Sequence, residues 1–360
     1  MPQKSPDYII ILVVVLLLAI SITMVFSATS ISAYAQFEDS FYFFKRQVAW
    51  VVLGLIAMLV TANIDYRRYL KLSPYILLGS IVGLILVLVI GAEIHGSRRW
   101  INIGIRIQPS EVAKLAMIMF TAWYVHQRRD KLRNFFTGLL PILLVLGLVF
   151  GLVLMEPDLG TAGTIAATIV MMLIVAGARL LHLTGIAVSG LPLFIYALIV
   201  EPYRRQRIFA FLDPWSVPKG AGFHIIQSLY ALGSGGLFGV GLGRSKQKFF
   251  YLPEPGTDFI FAVLGEELGF MGSFIVLLLY ALFALRGVRI ATRAPDLFGS
   301  LLAVGITFWI VFQAIINIGV VTGSLPVTGI TLPFISYGGT SLVVMSIAVG
   351  ILLNISKYCE

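Results

Sequence analysis

Ile9-IILVVVLLLAISITMV-Phe26 follows Lys4 and carries no charged side chain. About 20 mostly apolar residues in a helix cross the hydrocarbon layer of a bilayer. Every backbone N–H and C=O in that layer needs a partner inside the protein, so a run this long reads as a membrane-spanning helix. A cleavable signal peptide is the competing reading, because Ala33-Tyr34-Ala35 lies just beyond. The apolar stretch of a signal peptide is shorter, at ~7–15 residues, and further apolar runs follow. The segment therefore reads as an uncleaved first span.

Working outward, ten runs have the length and character of spans: 8–28, 47–63, 73–92, 110–127, 137–156, 161–178, 185–200, 259–285, 300–322 and 333–356. The fourth opens on charged residues, and Pro326 and Pro333 break 323–335. The expected fold is an all-α polytopic membrane protein. It forms a single integral membrane domain over 1–360 with about ten transmembrane helices and a large extracytoplasmic loop, 201–258, between spans 7 and 8. Composition agrees. The 360 residues are 59% hydrophobic and 12% charged, whereas a soluble domain is about half apolar and a quarter charged. A net charge of +9 would suggest nucleic acid in a soluble protein. Here the basic residues cluster between apolar runs, as membrane topology demands, and no nucleic-acid partner is expected. The single cysteine, Cys359, excludes a disulfide framework or a cysteine metal site within one chain.

Short loops set the orientation. With the N-terminus inside, ten spans return the C-terminus to the same side, and thirteen of the 26 Lys and Arg lie inside. Seven of the remaining thirteen fall in 201–258, and long loops count weakly in this rule. Both termini are thus expected in the cytoplasm. The outer side then carries 93–109, 156–160, 201–258 and 323–335. The segment 201–258 is too long for a simple connection and reads as functional. The chain shows no internal repeat and no pair of inverted halves.

The residues able to do chemistry fall in these outer segments. Ser97-Arg98-Arg99-Trp100 is followed by Arg106 and by Gln108-Pro109-Ser110-Glu111-Val112-Ala113-Lys114. Pro109 suits a first helical turn, and Glu111 and Lys114 share a helical face. An ionisable residue inside a span faces a cavity or a partner. Two readings stay open: a structural salt bridge, or Arg106 and Lys114 holding a phosphorylated ligand. Glu156-Pro157-Asp158-Leu159-Gly160-Thr161 reads either as a capped turn or as support for an active site. Arg204, Arg205 and Arg207 precede Asp213-Pro214-Trp215, and a glycine-rich stretch runs from Gly233 to Gly243. The phosphate-loop pattern fails there, with Phe238 at its first glycine and Arg244 in place of its lysine. Lys246-Gln247-Lys248 leads through Pro253-Glu254-Pro255 to Asp258, at the mouth of an apolar span. Asp258 reads either as an N-cap or as a carboxylate base on the outer rim. Glu266 and Glu267, about two turns deeper, suggest a polar cavity. Irregular backbone such as Leu325 to Gly339 is tolerated at membrane depth where it lines a cavity or is buried. His95, His126, His182 and His224 are scattered without metal-ligand spacing, and no protein metal site is expected.

The order of these motifs, together with Thr257-Asp258-Phe259-Ile260-Phe261, Gly265-Glu266-Glu267-Leu268-Gly269 and Leu332-Pro333-Phe334-Ile335-Ser336-Tyr337-Gly338-Gly339, resembles the shape, elongation, division and sporulation family of peptidoglycan glycosyltransferases. The likeness covers nearly the whole chain. Thr331, Gln227-Ser228-Leu229-Tyr230 and the stretch from Lys246 to Pro255 look more like the FtsW/SpoVE branch than the RodA branch. Val112 stands where Phe or Leu is commoner. The resemblance implies a ten-helix fold in the bacterial cytoplasmic membrane and polymerisation of lipid II, an undecaprenyl-pyrophosphate-linked disaccharide-pentapeptide, on its outer face. It makes Asp258 the catalytic residue. Arg98, Arg99, Arg106, Glu111, Lys114, Glu156, Asp158, Arg204, Arg205, Lys248 and Ser336 form the candidate substrate-binding set. It further implies a class B penicillin-binding protein as partner, within a division, sporulation or elongation complex. A divalent cation, Mg or Mn, is the one cofactor left open. The rival readings are a lipid II flippase and a non-catalytic scaffold. A flippase needs polar residues lining a path to the cytoplasmic face, and the charges here crowd the outer side.

Overall fold

The computed structural model describes residues 4–359 except 95–96, 103, 105, 201, 217, 219, 249–251 and 253. For 93–94, 187, 191, 193–200, 202–204 and 221 it describes the backbone alone. Twelve α-helices are present among the described residues: α1 (Tyr8–Phe37), α2 (Tyr42–Ala62), α3 (Arg67–Ile90), α4 (Pro109–Gln127), α5 (Leu140–Met155), α6 (Leu159–Val175), α7 (Leu180–Val200), α8 (Pro202–Leu212), α9 (Ala221–Gly235), α10 (Ile260–Arg293), α11 (Leu297–Val321) and α12 (Gly339–Ser356). Seven are long and apolar enough to cross a membrane: α1, α2, α3, α5 with the π-helical turn Phe135–Leu139 before it, α10, α11 and α12. This is an all-α polytopic membrane protein. Seven is a floor for the expected ten. The Lys4 N–H donates to the Lys357 carbonyl at 2.9 Å, so the termini meet at one end and the number of end-to-end passes is even. Of the other helices, α6 is shorter, at 17 residues, and α4 carries the buried Glu111 and Lys114.

The helices turn apolar faces outward and polar groups inward, as a lipid solvent requires. Leu53, Ile56, Leu59 and Val60 of α2 and Leu78, Val82, Ile85 and Val89 of α3 are exposed. Ser21, Gln47, Thr121, Gln313 and Asn317 are buried. The interior is built by α4, α11 and α12: α4 packs on α3, α6 and α11, and α12 packs along α2. At Gly350 a Cβ would stand 1.9 Å from Thr61 Oγ1, so a small residue lets α12 approach α2 this closely.

Two segments depart from expectation. A small antiparallel sheet, β1 (Ala92–Ile94), β2 (Ser97–Asn102) and β3 (Arg106–Ile107) in the order β1-β2-β3, occupies the connection before α4. The stretch expected as a large extracytoplasmic loop, 201–258, carries helices within it. It holds α8, a 3-10 turn at Pro214–Ser216 and α9.

The glycine-rich stretch after α9 splints a break in α10. Gly269 interrupts that helix at φ 67° and ψ −166°, which orphans backbone groups on both sides of the break. Val240 and Gly241 N–H donate to the carbonyls of Glu266 and Glu267 at 3.0 and 3.1 Å, and Phe270 and Met271 N–H donate to those of Gly236 and Leu237 at 2.9 and 3.1 Å. A Cβ on Gly239 would lie 2.2 Å from the Glu267 carbonyl oxygen. Glycine is required there because two backbones touch, and no phosphate loop is formed.

Candidate active site

Five segments converge at the end of the bundle remote from the termini: β2, the Glu156–Asp158 turn, α8, the approach to α10, and the irregular 322–338 segment before α12. Asp258 lies one residue before Phe259, the capping position of α10, and provides no cap: Phe259 precedes the first turn with no side-chain cap bond. The N-cap reading of Asp258 is therefore corrected. Its backbone is held instead. Asn317 Nδ2 on α11 donates to the Asp258 carbonyl at 2.8 Å and to the Ile330 carbonyl at 2.7 Å. A Cβ on Gly329 would stand 3.6 Å from Asp258 Oδ2, so the carboxyl faces the 327–331 strand of chain. The N-terminus of α6 packs against the same strand, since a Cβ on Gly160 would come within 3.1 Å of the Thr328 carbonyl oxygen.

Burial pushes the Asp258 carboxyl up to about 6, assisted by the negative charges of Glu254 and Asp158 and opposed by Arg207 and Arg99. Arg207 donates to the Val327 carbonyl at 2.9 Å. The same neighbourhood includes His224, whose ring stacks on Phe259 at 5.6 Å. Burial and then the Arg207 charge lower its pKa, with Glu254 opposing.

Around Arg99 the second cluster forms. Arg99 Nε donates to the Glu156 carbonyl at 3.0 Å, its Nη2 to the Pro157 carbonyl, and its Nη1 stands 3.7 Å from Asp158 Oδ2. Asp158 caps α6 through Thr161 N at 3.0 Å and Thr161 Oγ1 at 2.9 Å. The capped-turn reading is realised, and the same turn fixes an arginine. Glu156 is fully buried, and neither carboxyl oxygen has a well-formed hydrogen bond. Burial and then the Asp158 charge push it up to about 8, with Arg99 and the nearby Ser110 hydroxyl opposing.

Glu111 and Lys114 form the structural pair. Lys114 Nζ donates to Glu111 Oε1 at 2.8 Å and to Gln313 Oε1 at 3.0 Å, and it lies 5.2 Å from the Trp309 ring centroid. Gln313 Nε2 passes the restraint on to the Thr331 carbonyl at 3.0 Å. Gln313 and Asn317, four apart on α11, thus pin two successive points of the irregular segment. Ser336 also positions the chain: its Oγ donates to the Thr257 carbonyl at 2.6 Å and accepts from Leu332 N at 2.8 Å.

Lys248 lies deeper. Its ammonium donates to Glu267 Oε1 at 3.0 Å, Ser27 Oγ at 3.1 Å and the Gly243 carbonyl at 2.7 Å. All three protons are used inside the protein, and the Lys248 side chain is only 4% exposed. Glu266 accepts from the Ser245 hydroxyl and from Lys246 N–H at 2.9 Å. The expected deep polar cavity is therefore a closed network anchoring 243–248 to α1 and α10. Arg98, Arg106 and Arg205 are exposed at this end; Thr340 Oγ1 donates to the Arg106 carbonyl at 3.0 Å. The side chain of Arg204 lies outside the described residues. Sequence reasoning missed Gln313, Asn317 and His224 as site residues. The available signal was a pair of amides at helical spacing inside an apolar span.

A polytopic membrane protein with a carboxylate, a set of arginines and a clamped irregular segment gathered at one end is the class that fold and geometry define. The chain matches the FtsW/RodA/SpoVE cell cycle protein family over residues 7–360, and it belongs to that family. It is 49% identical to the stage V sporulation protein E of Bacillus subtilis (strain 168), over 99% of this chain and 98% of the relative. It is 46% identical to a probable peptidoglycan glycosyltransferase FtsW of Geobacter metallireducens, over 97% of this chain and 94% of that one. Among solved structures, it resembles a chain from a peptidoglycan synthase complex described as coordinating polymerization and crosslinking, with a TM-score of 0.79, 30% identity and coverage of 98% and 97%. The rod shape determining protein RodA of Thermus thermophilus matches with a TM-score of 0.73, 29% identity and coverage of 99% and 98%.

Proposed function

We propose that this chain is a peptidoglycan glycosyltransferase that polymerises lipid II at the outer face of the cytoplasmic membrane, with Asp258 as its general base. The observation that carries the reading is the state of Asp258. Its backbone is fixed by Asn317, and its carboxyl is pushed up to about 6. A base with a pKa near the working pH combines the right protonation state with useful driving force, and general base catalysis contributes typically ~10²–10⁴ in rate.

In the proposed step the acceptor sugar's 4-hydroxyl oxygen bonds to the donor's anomeric carbon. The bond from that carbon to the pyrophosphate oxygen breaks, and undecaprenyl pyrophosphate departs with the electron pair. Asp258 takes the hydroxyl proton. Arg99, Arg207 and the exposed Arg98, Arg106 and Arg205 offer positive charge to the leaving pyrophosphate. Glu111 and Lys114 support the site from beneath through Gln313 instead of contacting phosphate, and Asp158 and Glu156 shape the Arg99 side. Lys248 and Ser336 serve as anchors. Among the described residues no group of three or more His, Cys, Asp or Glu could hold a metal ion. A divalent cation would be held by substrate phosphates together with one or two carboxylates, as Mg²⁺ commonly is, and no step above is routed through it.

The partner in this reading is a class B penicillin-binding protein that cross-links the new strand, within a division, sporulation or elongation machine. In this reading both termini lie in the cytoplasm. Reconstitution in proteoliposomes tests the function. The purified chain with its partner should convert lipid II to long glycan. Transbilayer movement of lipid II without polymer would support the flippase instead.

A further inference from the structure

A cavity of about 490 Å³ lies at the opposite end of the bundle, lined by Arg129, Asp130, Leu132, Arg133 and Val175–Gly177. This end carries the termini: His126 packs on Phe298 at 6.3 Å, and Tyr66, whose ring lies 5.7 Å from Tyr358, bonds Asp296. The basic connection between α4 and α5 is a folded unit. Lys131, Leu132 and Asn134 N–H donate to the carbonyls of Arg128, Arg129 and Lys131 at 3.0, 3.2 and 2.9 Å. Asn134 Oδ1 accepts from Phe136 N at 3.0 Å, and a Cβ on Gly138 would lie 2.1 Å from the Lys131 carbonyl oxygen. Leu132 is buried as the anchor. Arg129 and Arg133, four residues apart, are thus presented at a fixed cavity, opposed only by Asp130 within its lining.

Exposed apolar side chains follow the lining residues closely along both segments of chain. Phe136 is 73% exposed and Leu181 80%, and Phe135 rests on His182 at 5.5 Å, tying the two segments together. Arginines beside exposed apolar side chains at the end of a membrane bundle match a ligand with an anionic head and acyl chains. We infer that this cavity binds the phosphate headgroup of an anionic phospholipid, with Arg129 and Arg133 on the phosphate and the acyl chains along Phe136 and Leu181. Orientation of the chain by basic loops explains positive charge at this end. It does not explain a preformed cavity with a flanking apolar rim.

The test is lipid retention by the full chain purified in detergent, read by native mass spectrometry against added phosphatidylglycerol, cardiolipin or phosphatidylethanolamine. Arg129→Ala/Arg133→Ala should weaken anionic-lipid binding roughly ten- to thirty-fold. Arg68→Ala/Lys71→Ala, which removes the same charge from the exposed first turns of α3, should leave it unchanged. Glycerol phosphate and inorganic phosphate, lacking chains, should fail to displace the lipid at equal concentration. Equal retention in both double variants, or equal binding of phosphatidylethanolamine, would overturn the proposal. Displacement by inorganic phosphate would show a free-anion site and overturn the lipid assignment.

Discussion

Replacing Asn317 by alanine removes the two hydrogen bonds that hold the Asp258 and Ile330 carbonyls, at 2.8 and 2.7 Å. Each buried acceptor left without a partner costs about 1–3 kcal/mol, so the pair amounts to about 2–6 kcal/mol. Part of this appears as lower global stability. The remainder is relieved by displacement of the approach to α10 from the 327–331 strand, which moves the proposed base. A misplacement of ~1 Å at a reacting group can cost ~10²-fold in rate. The control lies at the other end of the same bundle. Asn354 is also buried and also makes two bonds, accepting from Tyr66 N at 2.9 Å and donating to the Ala62 carbonyl at 3.0 Å. Asn354→Ala should lose comparable stability and keep its turnover. The assay pairs thermal unfolding in detergent with glycan polymerisation rates below both melting temperatures. Equal loss of rate in the two variants would refute the positioning argument, as would full activity in Asn317→Ala.

Three further outcomes follow from the same contacts. With Asp258 raised to about 6 and active only when deprotonated, kcat/KM should plateau above that pH and fall about tenfold per unit below it; a flat profile down to pH 5 would count against the assignment. Lys248→Met leaves Glu267 charged and buried without its ion partner, a change that costs about 3–5 kcal/mol. Adding Glu267→Leu should restore stability and activity together, whereas a substrate-binding Lys248 would leave the double variant inactive. Gly239→Ala places a methyl 2.2 Å from the Glu267 carbonyl oxygen at φ +79°, and overpacking of this kind costs about 1–3 kcal/mol. It should lower the melting temperature and expose α10 to proteolysis near Gly269; unchanged values in both would disprove the splint.

The membrane character was legible because long uncharged runs such as 9–26 have few other physical solutions. The location of the polar residues was legible too, since a charge such as Glu111 in an apolar span demands a partner. Its pairing with Lys114, three residues on, was legible as well; the second partner of that lysine was not. Lys114 and Gln313 are 199 residues apart, and no local pattern encodes such a meeting. The small sheet before α4 escaped because its strands are short and interrupted. The α8 and α9 helices escaped because basic and glycine-rich stretches mask their helical period. The glycine-rich stretch from Gly233 to Gly243 was readable as unlike a phosphate loop. Its role as a splint needed the break at Gly269, which backbone angles alone reveal. Lys248 looked available because its loop is basic; the structure shows its three protons already taken.

The most direct test of the central claim compares wild type with Asp258→Asn in a lipid II polymerisation assay, each co-purified with a class B penicillin-binding protein. The substitution keeps the side chain's size and leaves the Asn317 bond to the backbone carbonyl intact. The account predicts long glycan from wild type and none from a variant that binds lipid II and melts at the wild-type temperature. Normal polymer from that variant would contradict it.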